Sequence, residues 1–387
     1  MKIISVVGAR PNFMKIAPFI KAIEEHNKSS KERVDHLLVH TGQHYDDRMS
    51  RAFFEELEIP AADINLGIGS GTHAEQVGHT MIEFEKVLKE KKPDWVVIVG
   101  DVNAILACSV TAKKEHIKCC HIEAGLRSGD MTMPEEVNRL VADRISDLLL
   151  TPDRLSSENL LKEGVPEYKI KFTGNIMIDT LENNRKKAAA LDIIDIINQN
   201  SVNKKEFSLN GNEIPGFAVM TLHRPSNVDK KEVLEPIVRF MLDEVCPEIP
   251  LLWTIHPRTR KMLDSFGLLD EIMANRNLHV LEPLGYLEML KLNMHARVIL
   301  TDSGGLQEEC TVLGTPCLTL RWNTERPITL TEHGGASVLV GNNIARIREE
   351  YRTALKKGRN PVSPELWDGH TAERCLNEIL DFSKNCK

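Results

Sequence analysis

The sequence predicts two doubly wound α/β domains, each a mainly parallel sheet covered by helices. Three observations carry that reading. Strand-like and helix-like patterns alternate almost without interruption, as parallel strands joined by crossover helices require. The strand-rich stretches form two halves of comparable length, which means two domains rather than one barrel. A chain of 387 residues is also too long for one ordinary core.

In the first half, strand-like runs occur at 3–8, 34–40, 95–100, 118–123, 148–151 and 170–173. Helical patterns fill the gaps. The one from Thr72 onward starts with Thr72 and Glu75 as a capping-box pair and closes over 89–93. A boundary falls near residue 175. From about 188 to 216 the order weakens, and the turn-rich Asn198–Asn203 and Asn210-Gly211-Asn212 suggest an irregular excursion. Alternation resumes at 217–222, 251–254, 278–281, 298–301, 317–320 and 338–340. The chain ends in a helical pattern over 371–382.

Composition narrows the function classes. Hydrophobic and charged fractions of 42% and 27% are those of a globular protein. No apolar run approaches the ~20 residues of a membrane span. The N-terminus lacks the pattern of a signal peptide, so a cytoplasmic location is expected. A formal net charge of −7 leaves no basic excess for a nucleic-acid partner. The eight cysteines form no CxxC pair and read as small buried hydrophobes. His36, His40 and His44 recur every four residues but straddle a strand and its loop, so no metal site is expected.

Ligands of such sheets bind beyond the carboxyl ends of the strands, and the unusual chemistry lies there. Arg10-Pro11 follows the first strand, with Lys15 one turn on. A cation at a helix start opposes the helix dipole, a conflict that a docked anion resolves; the alternative is an arginine reaching solvent. Asp101 follows another strand, as ligand contact or as helix cap. Glu123 follows the next, facing a ligand or paired with Arg127. Glu135 and Glu136 open a helix behind Pro134, an ordinary stabilising choice in isolation. Together, Asp101, Glu123 and Glu135 sit at successive edges of one sheet, where close carboxylates supply both an acid and a base. In the second half, His223-Arg224 leaves a strand with two groups suited to a diphosphate. Thr301-Asp302-Ser303-Gly304-Gly305 carries a strand into a helix through two glycines, a backbone cradle for phosphate. Ser303 caps that helix or donates to phosphate, while Glu309 takes ribose hydroxyls or compensates the helix dipole. Gly67-Ile68-Gly69-Ser70-Gly71 lacks a preceding strand and full spacing, and reads as a connection.

Gly8-Ala9-Arg10-Pro11 with Lys15, Thr41-Gly42-Gln43-His44, Gly100-Asp101, the 121–127 run His-Ile-Glu-Ala-Gly-Leu-Arg, Pro134-Glu135-Glu136, Thr221-Leu222-His223-Arg224, the 301–309 run Thr-Asp-Ser-Gly-Gly-Leu-Gln-Glu-Glu and Glu325-Arg326-Pro327 occur in order. Together they resemble the non-hydrolysing UDP-N-acetylglucosamine 2-epimerases over nearly the whole chain. The resemblance implies a glycosyltransferase-B-like architecture, with two Rossmann-like domains facing a cleft and a C-terminal helix crossing back to the first. The implied domains are 1–175 with about 368–387, carrying the carboxylates, and 176–367, binding UDP. It also implies interconversion of UDP-N-acetylglucosamine and UDP-N-acetylmannosamine without a cofactor, in a homodimer.

The implied catalytic set is Asp101, Glu123, Glu135, Lys15 and His223. His223 also holds the diphosphate with Arg10, Ser303, Gly304 and Gly305; Glu309 holds the ribose, Arg326 lies near sugar or phosphate, and uracil meets the backbone around 284–289. Gln43 and His44 match positions of a second, activating UDP-N-acetylglucosamine site in bacterial members. Asn12 stands where many relatives carry Glu, Asp46 where a Gln is frequent, and Val102 where a Thr is usual. The rival readings are a 2-epimerase of a UDP-diacetamido uronic acid, a hydrolysing epimerase that releases N-acetylmannosamine, a glycosyltransferase, and a nucleotide-sugar sensor.

Overall fold

Short apolar runs pair into two all-parallel sheets in the computed structural model, which describes residues 1–8, 10–42, 57–207 and 216–385. The chain divides into two compact units, residues 1–183 with 364–387 and residues 184–363.

The first unit contains β1 (Lys2–Val7), β2 (Asp35–His40), β3 (Ile64–Asn65), β4 (Trp95–Val99), β5 (Lys118–Ile122), β6 (Leu148–Thr151) and β7 (Ile170–Phe172). Its helices are α1 (Arg10–Ser29), α2 (His73–Lys91), α3 (Asn103–Lys114), α4 (Pro134–Ile145) and α5 (Arg154–Lys162), followed by α6 (Ile176–Ala189), which leads out of the unit. The strand order is β3-β2-β1-β4-β5-β6-β7, so the direction of sheet growth reverses between β1 and β4.

Side chains alternate across this sheet, as strand geometry demands. Ile4, Val6, Val96 and Ile98 pack with Phe84, Ile105 and Ala142 of α2, α3 and α4. Trp95, out of phase with Val96, turns to the C-terminal helix Thr371–Asn385. Its ring meets Phe382 edge-on at 5.7 Å, and its Nε1 donates to Ser383 Oγ at 2.7 Å. That helix packs on α1 and is capped by Asp179, which accepts from the Thr371 and Ala372 amides at 3.0 and 2.7 Å. Thr72 and Glu75 form the capping box at the start of α2.

The second unit repeats the plan with β8 (Ala218–Thr221), β9 (Leu251–Thr254), β10 (Leu278–Leu281), β11 (Val298–Thr301), β12 (Cys317–Thr319) and β13 (Ser337–Leu339), in the order β10-β9-β8-β11-β12-β13. Its helices are α7 (Ile193–Gln199), α8 (Pro225–Val228), α9 (Lys231–Phe240), α10 (Pro257–Ser265), α11 (Leu269–Ala274), α12 (Tyr286–His295), α13 (Gly304–Leu313) and α14 (Ile344–Lys357). Met220, Trp253, Val280 and Leu300 face Leu234 and Ile347 of α9 and α14. Val219, Leu252 and Ile299 face Ile193, Ile197 and Leu292 of α7 and α12. Each sheet is thus covered by helices on both faces.

Two elements differ from expectation. The stretch from 188 is not irregular throughout, because α7 forms within it. Ile193, Ile196 and Ile197 make one buried face, and Asp192 accepts from the Ile194 and Asp195 amides at 2.8 and 3.1 Å. Two turns of helix, with Asp192 before and Asn200 after, give too short a period to stand out. The two-residue β3 likewise escapes any pattern and exists through pairing with β2. The seven described cysteines are buried and unpaired, and no described helix is long and apolar enough to cross a membrane.

Gly125 closes the turn after β5 with φ +83°, and a Cβ there would lie 2.3 Å from the Ser156 carbonyl oxygen. Gly125→Ala is expected to destabilise the protein by more than about 2 kcal/mol, through left-handed strain and backbone collision. Denaturant unfolding of the two proteins measures it.

Candidate active site

At the reversal point of the first sheet, β1 and β4 end side by side. Asn12, in the first turn of α1, ties the two ends together. Its Oδ1 accepts from the Gly8 amide at 3.1 Å and its Nδ2 donates to the Val99 carbonyl at 2.7 Å. One turn on, the Lys15 ammonium forms a direct ion pair with the Glu123 carboxylate beyond β5, and both side chains are buried. Gly100 packs against this pair with φ +78°. A Cβ there would stand 3.1 Å from Asn12 Nδ2 and 3.2 Å from Lys15 Nζ. Glu123 adopts φ +73°, a conformation that costs a non-glycine residue roughly 1–3 kcal/mol. The Glu123 and Ala124 amides both donate to the Leu150 carbonyl at 3.0 Å and hold that turn in place.

Asp101 does not cap α3, whose first flanking residue is Val102. Its carboxylate instead accepts from Arg139 Nη1 at 2.6 Å, and its carbonyl from Asn138 Nδ2 at 2.9 Å. The buried Arg139 also donates through Nε and Nη2 to Glu136 Oε2 at 3.0 and 2.6 Å. Glu136 in turn accepts from the Ser128 and Gly129 amides at 3.1 and 2.9 Å. Glu136 is therefore a brace. Its neighbour Glu135, half-buried in the first turn of α4, makes no hydrogen bond or ion pair among the described residues.

Arg127 pairs with Asp143 and Glu163, at 2.7 Å each, rather than with Glu123. Asp143 also meets His121 Nδ1 at 2.6 Å, while His121 Nε2 lies 2.8 Å from the Gly100 carbonyl. Burial pushes the Asp143 carboxyl up, but His121 and Arg127 outweigh it and hold it below the ordinary carboxylate range. His121 thus bridges the Asp143 carboxylate and the Gly100 carbonyl and pins Gly100 beside Asp101.

At the reversal point of the second sheet, β8 pairs with β11 so that Thr221 lies opposite Thr301, their hydroxyls 2.6 Å apart. Ser303 flanks α13 but makes no capping side-chain bond; its amide donates to Thr301 Oγ1 at 3.0 Å. A Cβ at Gly304 would lie 2.9 Å from Glu325 Oε1 and 3.0 Å from Arg326 Nη1, so the glycine-rich turn rests on a buried charge cluster. In that cluster Arg326 pairs with Glu325 and with Glu308 (2.8 Å), and Arg321 pairs with Glu325 at 2.6 Å. Asp302 is fully buried and accepts from the His223 and Arg224 amides at 3.0 and 2.8 Å and from Asn227 Nδ2 at 3.1 Å. It also meets His223 Nδ1 at 2.8 Å. Residue types alone gave Asp302, Asn12, His121 and Arg139 no role, since each acts through partners distant in sequence.

Glu309 lies inside α13, almost fully buried. Burial pushes its carboxyl up to about 7; Tyr286 and Asn293 oppose the shift, and Glu308 adds to it. The Arg10 backbone opens α1, but its side chain, like Gln43 and His44, lies outside the described residues. No group of three or more His, Cys, Asp or Glu side chains suited to a metal occurs among the described residues. His36 Nε2 meets Ser5 Oγ at 3.0 Å, and His40 packs on Phe13 with ring centroids 5.2 Å apart.

Known proteins place this geometry in context. Residues 26–380 match the profile of the family described as UDP-N-acetylglucosamine 2-epimerase. The UDP-N-acetylglucosamine 2-epimerase of Methanocaldococcus jannaschii is 42% identical over 386 residues, spanning 99% of this chain and 100% of that one. The UDP-2,3-diacetamido-2,3-dideoxy-D-glucuronate 2-epimerase of Pseudomonas aeruginosa is 38% identical over 382 residues, 98% and 99% of the two chains. The crystal structure of the Methanocaldococcus jannaschii enzyme in complex with UDP-GlcNAc and UDP superposes with a TM-score of 0.86, covering 99% of this chain and 100% of that one.

Removing one partner of a buried ion pair leaves the other uncompensated, so Lys15→Met is expected to cost about 3 kcal/mol or more. Adding Glu123→Gln recovers part of that loss, a coupling that a double-mutant cycle of unfolding free energies reads directly. Glu309 has a folded value of about 7 against an ordinary 4.5. Its contribution to stability is therefore full below pH 4.5 and is lost as the pH rises through 7. Glu309→Gln is expected to remove a pH-dependent loss on the order of 3 kcal/mol across that window, measured by unfolding at pH 4.5 and 8.

Proposed function

The chain belongs to the UDP-N-acetylglucosamine 2-epimerase family, and from that premise we propose that it interconverts UDP-N-acetylglucosamine and UDP-N-acetylmannosamine by eliminating and re-adding UDP. The supporting observation is the edge of the first sheet. There Glu123 is buried on Lys15, Asp101 is held by Arg139, and Glu135 stands on the adjoining helix with no hydrogen bond or ion pair among the described residues.

The chemistry asks for such an arrangement. The hydrogen on sugar carbon 2 has no neighbouring carbonyl to acidify it, so its loss is coupled to departure of UDP from carbon 1. A carboxylate takes the proton, the carbon 1–oxygen bond breaks, and the electron pair of that bond leaves on the β-phosphate oxygen. The product is an unsaturated 2-acetamidoglucal. UDP adds back to carbon 1 and a proton reaches carbon 2 from the opposite face, which requires acid/base groups on both faces. Asp101, Glu123 and Glu135 are the candidates, with Lys15 compensating their charge. Arg10, His223, Ser303, Gly304 and Gly305 hold the diphosphate while it is detached. Glu309 takes the ribose hydroxyls, and Arg326 braces the turn at Gly304.

In this reading residues 1–175 with 368–387 supply the proton chemistry and residues 176–367 bind UDP. Gln43 and His44 match two positions of a second, activating substrate site in bacterial relatives, whereas Asp46 departs from that site's pattern and argues against activation by substrate. The reaction requires no cofactor, and the working form is a cytoplasmic homodimer. A second reading, a UDP-diacetamido uronic acid as substrate, is favoured by the extent of the likeness to the Pseudomonas aeruginosa enzyme.

Incubation with each nucleotide sugar, followed by proton NMR, separates these readings. UDP-N-acetylmannosamine is expected from UDP-N-acetylglucosamine at a rate well above turnover of the diacetamido uronic acid. Preference for the latter supports the second reading, and accumulation of free N-acetylmannosamine defeats both. Asp101→Asn, Glu123→Gln and Glu135→Gln are each expected to lower kcat by about 10²–10⁴-fold while UDP affinity changes only a few fold. Unchanged turnover removes that residue from the acid/base set.

A further inference from the structure

His223 stands at the carboxyl end of β8 with its side chain 42% exposed, whereas Asp302, after β11, has none of its surface exposed. A buried carboxylate is costly unless its oxygens are satisfied. Here the donors come from one short segment, the amides of His223 and Arg224, the Asn227 amide group and the His223 ring. Burial raises the Asp302 carboxyl, but the ring and the amides together hold it below the ordinary carboxylate range, so it accepts rather than donates. The His223 proton facing it therefore sits on Nδ1, and Nε2 is the nitrogen left for a ligand.

The surroundings favour one ring orientation. Oδ2 takes the Arg224 amide and Asn227, while Oδ1 takes the ring. Arg224 Nε donates to the Asp302 carbonyl at 3.1 Å and so steadies the same turn. On the other side the His256 ring lies 5.8 Å away, its Nδ1 accepting from the Arg258 amide at 3.2 Å. The Arg258 guanidinium is paired with Asp229, at 2.5 and 2.7 Å.

We propose that Asp302 is a positioning residue, holding the His223 imidazolium with Nδ1–H on its own carboxylate and Nε2–H directed at the diphosphate. The inference rests on the proposed function and extends it to a residue that need not touch the substrate. When the carbon 1–oxygen bond breaks, negative charge grows on the β-phosphate oxygen, and a hydrogen bond from a cationic ring strengthens as it does so. The interaction is worth more at the transition state than in the bound ground state, so its loss falls on kcat more than on KM.

Asp302→Asn tests this directly. An amide oxygen in the place of Oδ2 keeps the Arg224 and Asn227 bonds, while its NH2 group faces the ring and demands an unprotonated Nδ1. The ring is then neutral, and its bond to the phosphate loses the charge. We expect kcat for UDP-N-acetylglucosamine to fall by about 100-fold or more, with KM within about threefold. The Asp302→Asn, His223→Asn double variant is expected to be no slower than His223→Asn alone. In 15N-histidine spectra with UDP bound, Nδ1 of His223 is expected to be protonated in the unsubstituted protein and unprotonated in Asp302→Asn. A kcat within threefold, additive losses in the double variant, or an unprotonated Nδ1 in the UDP-bound unsubstituted protein each overturn the proposal. If Asp302→Asn does not fold, that last spectrum still decides it. Failure of the unsubstituted protein to epimerise UDP-N-acetylglucosamine instead defeats the proposed function, and the UDP-bound spectrum continues to report on Asp302.

Discussion

The constraint on which both units depend is the meeting of two parallel strands at a reversal of strand order. Where β1 lies beside β4, and β8 beside β11, neighbouring strands end level and the chain leaves them in diverging directions. The backbone groups exposed there need partners, and only residues just past the strand ends can supply them. Asn12 bridges the first pair and Asp302 the second. Each of these buried side chains joins segments far apart in sequence, and Asp302 also holds the half-exposed ring of His223.

Charge compensation follows the same logic. Glu123 is balanced by Lys15, Asp101 by Arg139, Asp143 by His121 and Arg127, and Glu308 and Glu325 by Arg321 and Arg326. Such pairs contribute little net stability, because desolvation offsets most of the attraction. What they provide is placement: a carboxylate bound on one side keeps a fixed orientation on the other. The positive φ of Glu123 fits that account, since it adds strain that a purely structural turn has no reason to retain.

Much of this was legible in the residues. The alternation of apolar runs located twelve of the thirteen strands, because a strand buried on both faces is a continuous apolar stretch. Capping chemistry at Thr72 and Glu75 marked a helix start correctly. Short elements escaped: β3 has only two residues, and α7 is a two-turn helix whose buried face is three isoleucines. At the site, residue type pointed to Asp101, Glu123 and His223, but not to what holds them. The pairing of Arg139 with Asp101, or of Asp302 with His223, spans 38 and 79 residues and exists only once the sheets are assembled. Local reading also suggested a bond between Glu123 and Arg127, four residues apart, whereas the turn at Gly125 sends them to different partners.

The central claim is that proton removal at carbon 2 accompanies reversible loss of UDP. It is tested most directly by incubating UDP-N-acetylglucosamine with the protein in deuterium oxide and reading carbon 2 by NMR and mass spectrometry. The account predicts deuterium at carbon 2 of UDP-N-acetylmannosamine, with one mass unit gained per molecule and the nucleotide sugar intact. Epimer formed with the original hydrogen still at carbon 2 contradicts it.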